Sequence, residues 1–137
     1  MFDSINHLTK FSDWKKTFDC VATHLKPGEI FIFDINTPYK LTQFAKAPPW
    51  IHKFGNNFLI MSVECDAKAL SKWDIKVFES IGKDRYRLHQ EVILEKGFTA
   101  ALITKALQDR FKQVTVLDLK QGLVNSKSER LYFVCKS

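Results

Sequence analysis

The pattern of apolar and polar residues divides the chain into a middle part that alternates and two flanking parts that do not. In the first flanking part, residues 30–35 form a short apolar run between the turn residues 27–28 and 36–38. Such a run is typical of a strand buried on both faces, as in a parallel sheet. We predict that it is the central strand of a helix–strand unit, with any chemistry at its carboxyl end. The candidate residues there are Asp34, Asn36 and Thr37.

Apolar residues at helical spacing predict two amphipathic helices in the flanking parts. The first extends from about Asp13 to Leu25, with Ser12 as its N-cap, and the second begins at Thr99. One or two further helical turns are expected over residues 39–44. Apolar runs predict two more strands, over residues 114–119 and 130–136.

The middle part, residues 50–95, predicts an antiparallel sheet with one solvent-facing side. Its strands are expected over residues 50–54, 57–66, 71–80 and 85–95, with hairpin turns at 55–57 and 82–84. The whole chain, residues 1–137, is expected to be a single domain. In it, residues 50–95 are inserted between residues 1–46 and 97–137.

Composition and charge argue against a nucleic-acid-binding protein, a metal site and a membrane protein. The chain has 137 residues, of which 45% are hydrophobic and 13% aromatic, enough for one packed core. The net charge of +6 comes from lysines and arginines scattered among acids, which disfavours a nucleic-acid surface. Three cysteines without CxxC spacing predict reduced thiols, no metal site and a cytoplasmic protein. The sequence contains neither an apolar run of membrane-spanning length nor a signal-peptide pattern.

Several stretches carry a likeness to a known family. They are residues 2–8, 24–38, the alternating part through Gln90-Glu91, the helix–strand pair that ends at 114–116, and 128–134. In this order they resemble the carboxyl-terminal half of class I S-adenosylmethionine-dependent methyltransferases, of the bacterial small-molecule type with an antiparallel excursion after the fifth strand. The resemblance implies an α/β fold, a truncated Rossmann-like methyltransferase sheet with an added antiparallel subsheet.

The resemblance also implies roles for individual residues. Asp3, Ser4 and Asn6 would contact the cofactor S-adenosylmethionine, and His7 would be a catalytic base. Asp34, Asn36 and Thr37 would contact the acceptor substrate. The alternative is structural: residues 3–7 cap the first helix or lie exposed at a frayed end, and residues 36–38 end a strand and begin a helix.

The sequence departs from the family in its glycines. The family holds its cofactor with a glycine-rich loop, because only glycine lets the backbone approach the ligand so closely. Here all five glycines stand singly. We therefore expect no tight binding of S-adenosylmethionine by the isolated chain, and whether the chain is itself an enzyme stays open.

Three functions follow as hypotheses. The first is a methyltransferase-like protein without independent catalysis that acts as an oligomeric binding or interaction module. The second is a methyltransferase half that is active only with a separate amino-terminal partner. The third is a small basic module for an acidic ligand or nucleic acid. The chain resembles the family's sheet without its first four strands, and their absence would leave one sheet edge unpaired. We therefore expect a homodimer or higher oligomer through that edge.

Overall fold

The computed structural model describes residues 3–137, so Met1 and Phe2 lie outside the described part. The chain mixes helices and strands, which confirms the predicted α/β class. A 3-10 helix, Ser4–His7, precedes the regular elements. These are α1 (Phe11–His24), β1 (Ile30–Asn36), α2 (Pro38–Lys46), β2 (Trp50–Phe54), β3 (Asn57–Cys65), β4 (Leu70–Ser80), β5 (Tyr86–Lys96), α3 (Ala100–Gln108), β6 (Gln113–Leu117) and β7 (Arg130–Lys136).

The first of two sheets, the core sheet, has the strand order β1-β7-β6 with antiparallel pairs throughout. The prediction that β1 is a central strand buried on both faces is wrong, because β1 lies at the edge. Its carboxyl half is buried, but Ile30 and Ile32 are 55% and 58% exposed. An apolar run does not by itself distinguish a central strand from an edge strand whose outer side is open.

The hydrophobic core lies on one face of the core sheet, where α1 and α3 pack. Phe33 of β1 stacks on Phe133 of β7 with ring centroids 5.0 Å apart, and Phe18 of α1 lies 5.5 Å from Phe33. Ile103 and Leu107 of α3 are fully buried in the same cluster. No helix in residues 3–137 is long and apolar enough to cross a bilayer.

The second sheet, the excursion sheet, has the order β2-β3-β4-β5 and matches the four predicted strands closely. The expected single solvent-facing side is wrong, however. The register sets Ile75 opposite Glu91 and Val77 opposite His89, so the apolar stripes of β4 and β5 face opposite sides. Each face of this sheet is therefore mixed, and one face is partly covered by α2, whose Phe44 ring lies 4.9 Å from Trp73.

Of the three helix starts expected from the sequence, the structure has two, at Thr37 and Thr99. The Thr37 and Thr99 hydroxyls accept the backbone N–H groups of Lys40 and Leu102, as N-caps do. The prediction of Ser12 as an N-cap is wrong, since α1 begins at Phe11. There the helix start is fixed by packing and by the Trp14 indole, which donates to the Leu8 carbonyl at 2.7 Å.

Candidate functional site

Polar side chains gather at the carboxyl end of β1, where the core sheet meets the excursion sheet. We call this group the junction cluster; it consists of Asp3, Asn6, His7, Asp34, Asn36, Glu95 and Arg130. Two members, Asp34 and Asn36, lie at the predicted position, the carboxyl end of β1. The others come from the segment before α1, from β5 and from β7.

Asn6 is fully buried and ties the two sheets together. Its side-chain amide donates to the Asn36 carbonyl at 2.9 Å and to the Lys96 carbonyl at 3.0 Å, and its oxygen accepts the Asn36 N–H at 3.0 Å. These three bonds all go to backbone groups at the ends of strands. This favours a structural role for Asn6 rather than contact with a cofactor.

Arg130 stands opposite Asn36 in the register of β7 and β1 and joins two carboxylates. Its guanidinium donates to Asp34 Oδ2 at 2.9 Å and to Asp3 Oδ2 at 3.1 Å. The same oxygen of Asp3 also accepts the side-chain amide of Asn36 at 2.8 Å. Because the Asp34 side chain is only 6% exposed, this ion pair is largely shielded from water and holds Asp3 and Asn36 in place.

Glu95 brings a third carboxylate from the end of β5, and it is 7% exposed. Its Oε2 accepts from the Asn36 side-chain amide at 3.3 Å. Burial raises the pKa of Glu95 above the usual value near 4.5; the Asn36 hydrogen bond opposes this effect, and the negative charge of Asp3 adds to it. Glu95 is thus more disposed to take up a proton than an exposed glutamate is.

His7 lies at the exposed rim of the cluster, with Nδ1 3.4 Å from the Leu94 carbonyl oxygen. Ligand atoms of Asp3, His7 and Glu95 all lie within 4.8 Å of one another. Since the Arg130 guanidinium already contacts Asp3, a metal ion would have to compete with a fixed positive charge. Three carboxylates against one guanidinium leave the cluster with an excess of negative charge, which suits a ligand of modest positive charge.

An apolar groove of about 570 Å³ lies between α2 and the start of the excursion sheet. Phe44, Trp50, Met61 and Val63 line it. The register of the strands puts Met61 and Val63 on the same face of the sheet as Glu95. This face therefore combines an apolar surface with the acidic end of β5, as small-molecule sites commonly do.

The structure thus brings five of the seven predicted site residues together. These are Asp3, Asn6, His7, Asp34 and Asn36. Thr37 is a cap, because its hydroxyl lies 2.6 Å from the Ser128 carbonyl and accepts the Lys40 N–H. Ser4 instead lines an apolar cleft beside β1. The roles assigned to all seven remain predictions.

Two members of the cluster, Glu95 and Arg130, escaped the sequence analysis. Arg130 reaches the site only through the antiparallel pairing of β7 with β1, which residue spacing does not reveal. Glu95 carried a weak signal, since strand alternation puts it on the same face as Ile93. An acid at an inward position near the end of a strand is a reasonable candidate for a site.

No protein-family model and no curated protein matches the chain. A solved S-adenosylmethionine-dependent methyltransferase from Clostridium acetobutylicum does, with a TM-score of 0.79 and 28% identity, over 98% of this chain and 55% of that one. The chain has a methyltransferase-like fold. The resemblance stated from the sequence is thereby confirmed at the level of the fold.

Two further solved structures share the methyltransferase-like fold at low identity. A sugar N-methyltransferase from Streptoalloteichus matches with a TM-score of 0.71 and 13% identity, over 100% of this chain and 54% of that one. An amino pentose methyltransferase from Micromonospora echinaspora matches with a TM-score of 0.62 and 11% identity, over 99% and 56%. The methyltransferase-like chain therefore spans little more than half the length of the structures it matches.

The residues present do not fit a tight hold on S-adenosylmethionine. Gly28, Gly55, Gly82 and Gly122 have positive φ and lie in four separate turns, with open space where a Cβ would stand. At Gly97 a Cβ would lie 3.0 Å from the Pro38 backbone, so this glycine serves the packing of β5 against α2. Within residues 3–137, no two glycines form a cradle for a nucleotide-like ligand.

Proposed function

We propose that the chain is the acceptor-binding part of an S-adenosylmethionine-dependent methyltransferase, and that its acceptor is an amine. The observation that carries the proposal is the junction cluster, in which three carboxylates and one guanidinium meet at the carboxyl end of β1. The excess negative charge suits an ammonium group. Support comes from two neighbours in fold, which are described as a sugar N-methyltransferase and an amino pentose methyltransferase.

Glu95 is the residue that we assign to proton uptake. An ammonium group must give up a proton before its nitrogen lone pair can react. In this step the N–H bond breaks, the proton passes to a carboxylate oxygen of Glu95, and the electron pair stays on nitrogen. A pKa raised by burial makes Glu95 a better proton acceptor than an exposed glutamate would be. Asp3 and Asn36 orient the amine, and His7 at the rim is the alternative base.

We further propose that the methyl donor is held outside these residues, so that the isolated chain binds the acceptor but transfers no methyl group. Of the three functions considered from the sequence, this is the half that works with a partner. An oligomeric interaction module without catalysis would not need an amine site. The presence of such a site therefore distinguishes the two functions.

The test uses the purified chain with glucosamine as the amine probe and glucose as the uncharged control. We expect chemical-shift changes for glucosamine alone, centred on the Asn36 side-chain amide. Glu95→Gln should abolish them, whereas Glu64→Gln, an exposed acid on β3, should not. Equal responses to both sugars, or an unchanged response in Glu95→Gln, would refute the amine site. Micromolar binding of S-adenosylmethionine by the isolated chain in calorimetry would refute the external donor.

A further inference from the structure

The two central strands of the excursion sheet, β3 and β4, present apolar side chains on the face that α2 partly covers. They are Leu59, Met61, Val63, Trp73, Ile75 and Val77. All six are half-buried, and α2 reaches them through Phe44, whose ring lies 4.9 Å from that of Trp73. On its other face β4 carries charge, with Lys76 Nζ 3.1 Å from Asp74 Oδ2. The apolar surface that β4 contributes therefore belongs to one face, and α2 leaves part of it open.

This face continues to the junction cluster through β5. Ile93 stands opposite Trp73 and lies two residues before Glu95, so its side chain lies on the same face. The Trp73 indole N–H donates to Ser71 Oγ at 3.0 Å, which leaves only apolar ring surface for a ligand. We define the apolar track as Ile93, Trp73, Val63 and Met61. Its last two members also line the apolar groove beside α2, so the apolar track joins Glu95 to that groove.

The spacing of strands and residues sets the length of the apolar track. Successive side chains on one face of a strand are about 7 Å apart, and neighbouring strands are about 5 Å apart. Val63 lies two strands across from Ile93, which is one such step along β5 from Glu95. The Cα atoms of Glu95 and Val63 are therefore separated by about 12 Å. A molecule that contacts both Glu95 and the groove is elongated, and a single sugar ring is too short to do so.

The charge at the start of the apolar track selects its occupant. Three carboxylates against one guanidinium repel a fatty acid or a phosphorylated lipid and attract an ammonium group. A second copy or another polypeptide that covered only the apolar face would gain nothing from these carboxylates. We infer that the acceptor is an amphiphilic amine, with its ammonium group at Glu95 and an apolar substituent along the apolar track. This inference rests on the proposed function and names its substrate class.

The experiment titrates the purified chain with butylamine, hexylamine and octylamine, each below the concentration at which it forms micelles. A methylene group that becomes fully buried raises the affinity about fourfold, and one that becomes half-buried raises it about twofold. Because the apolar track is open on one side, octylamine should bind at least about tenfold more tightly than butylamine. Octan-1-ol has the same chain without the charge and should bind at least about tenfold more weakly than octylamine.

Chemical shifts of the three tryptophan indole N–H groups locate the alkyl chain on the protein. Trp73 lies in the apolar track and Trp50 in the groove, so both should respond to octylamine and neither to butylamine. Trp14 is fully buried in the core and should respond to neither amine. The Asn36 side-chain amide should respond to all three amines, since each carries the ammonium group.

Two variants of the apolar track and a matched control make the result specific. Met61→Gln and Val63→Thr place polar atoms on the track at similar side-chain size, and each should reduce the preference for octylamine over butylamine to less than about threefold. Ile60→Gln makes a comparable change on the opposite face of β3 and should leave this preference unchanged. Glu95→Gln should lower the affinity for octylamine to that for octan-1-ol.

The outcomes separate this inference from the proposed function. Equal affinities for butylamine and octylamine would overturn the inference and leave the amine site intact. Equal affinities for octylamine and octan-1-ol would overturn the proposed function, and the inference with it. An equal loss in Ile60→Gln and Met61→Gln would show that the substituent does not lie on this face. A dimer that Met61→Gln dissociates would assign the apolar track to a second copy instead.

Discussion

Replacement of Asn6 by alanine should remove the tie between the two sheets. The amide of Asn6 makes three hydrogen bonds of 2.9 to 3.0 Å with backbone groups of Asn36 and Lys96. At about 1 kcal/mol for each hydrogen bond, Asn6→Ala should lower the free energy of unfolding by about 3 kcal/mol. That is a large fraction of the roughly 5–15 kcal/mol that stabilises a domain.

The assay is urea unfolding followed by tryptophan fluorescence, with linear extrapolation to water. Asn56→Ala changes an exposed asparagine of the β2–β3 turn and should cost less than about 0.5 kcal/mol. Asn6→Asp is a second comparison, because it keeps the oxygen that accepts the Asn36 N–H and loses both donated bonds. It also adds a negative charge beside Asp3 and Glu95, so it should destabilise at least as much as alanine.

Amide exchange shows where the loss acts. In Asn6→Ala the Asn36 amide should lose its protection, while the Phe33 amide, which bonds to β7, should change only with global stability. If Asn6→Ala were as stable as the wild-type protein, the buried amide would not be the tie described here. Asn6 would then not hold the two sheets together at the junction cluster.

Four other outcomes follow from the same contacts. Because the pKa of Glu95 is raised in the folded state, ionisation of this group destabilises the fold, so the stability that it contributes is lost as pH rises from about 4.5 through the folded pKa. In urea titrations over this range, the free energy of unfolding of Glu95→Gln should increase relative to that of the wild-type protein as pH rises. A difference that stays constant with pH would contradict the assignment. Arg130→Met should cost about 3 kcal/mol, because it leaves the buried Asp34 carboxylate without its cation, and Arg130→Lys should cost less; equal losses in urea unfolding would show that charge is not what matters. Burial raises the pKa of Cys135 to about 11, so mass spectrometry after brief alkylation should find the exposed Cys20 modified and Cys135 unmodified until the chain unfolds. On heparin or DNA columns we expect only weak, non-specific retention, and strong salt-dependent retention would favour the basic binding module instead.

The fold was predictable where one local rule decides. Alternation in residues 50–95 gave all four strands of the excursion sheet to within about two residues. Thr37 and Thr99 were recognisable as helix starts because their hydroxyls cap local N–H groups. Ser12 failed as a cap since the packing of Trp14 and its bond to the Leu8 carbonyl fix the start of α1 from outside the helix.

The site was predictable only as far as a single strand extends. Asp34 and Asn36 follow from the rule that ligands bind at the carboxyl ends of strands in α/β sheets. Arg130 does not, because its place opposite Asn36 depends on which strands pair and in what register. The same non-local information decides whether β1 is central or at the edge, and sequence periodicity does not contain it.

The contact between Gly97 and Pro38 has a consequence for how such chains diversify. The first residue of α2 and the residue that follows β5 touch, so the excursion sheet leaves and rejoins the rest of the molecule at a single point. A segment with adjacent ends can be exchanged for a longer, shorter or different one without pulling the flanking elements apart. Under the proposed function, acceptor preference could therefore change by replacement of residues 38–97, while the core sheet and helices α1 and α3 stay as they are.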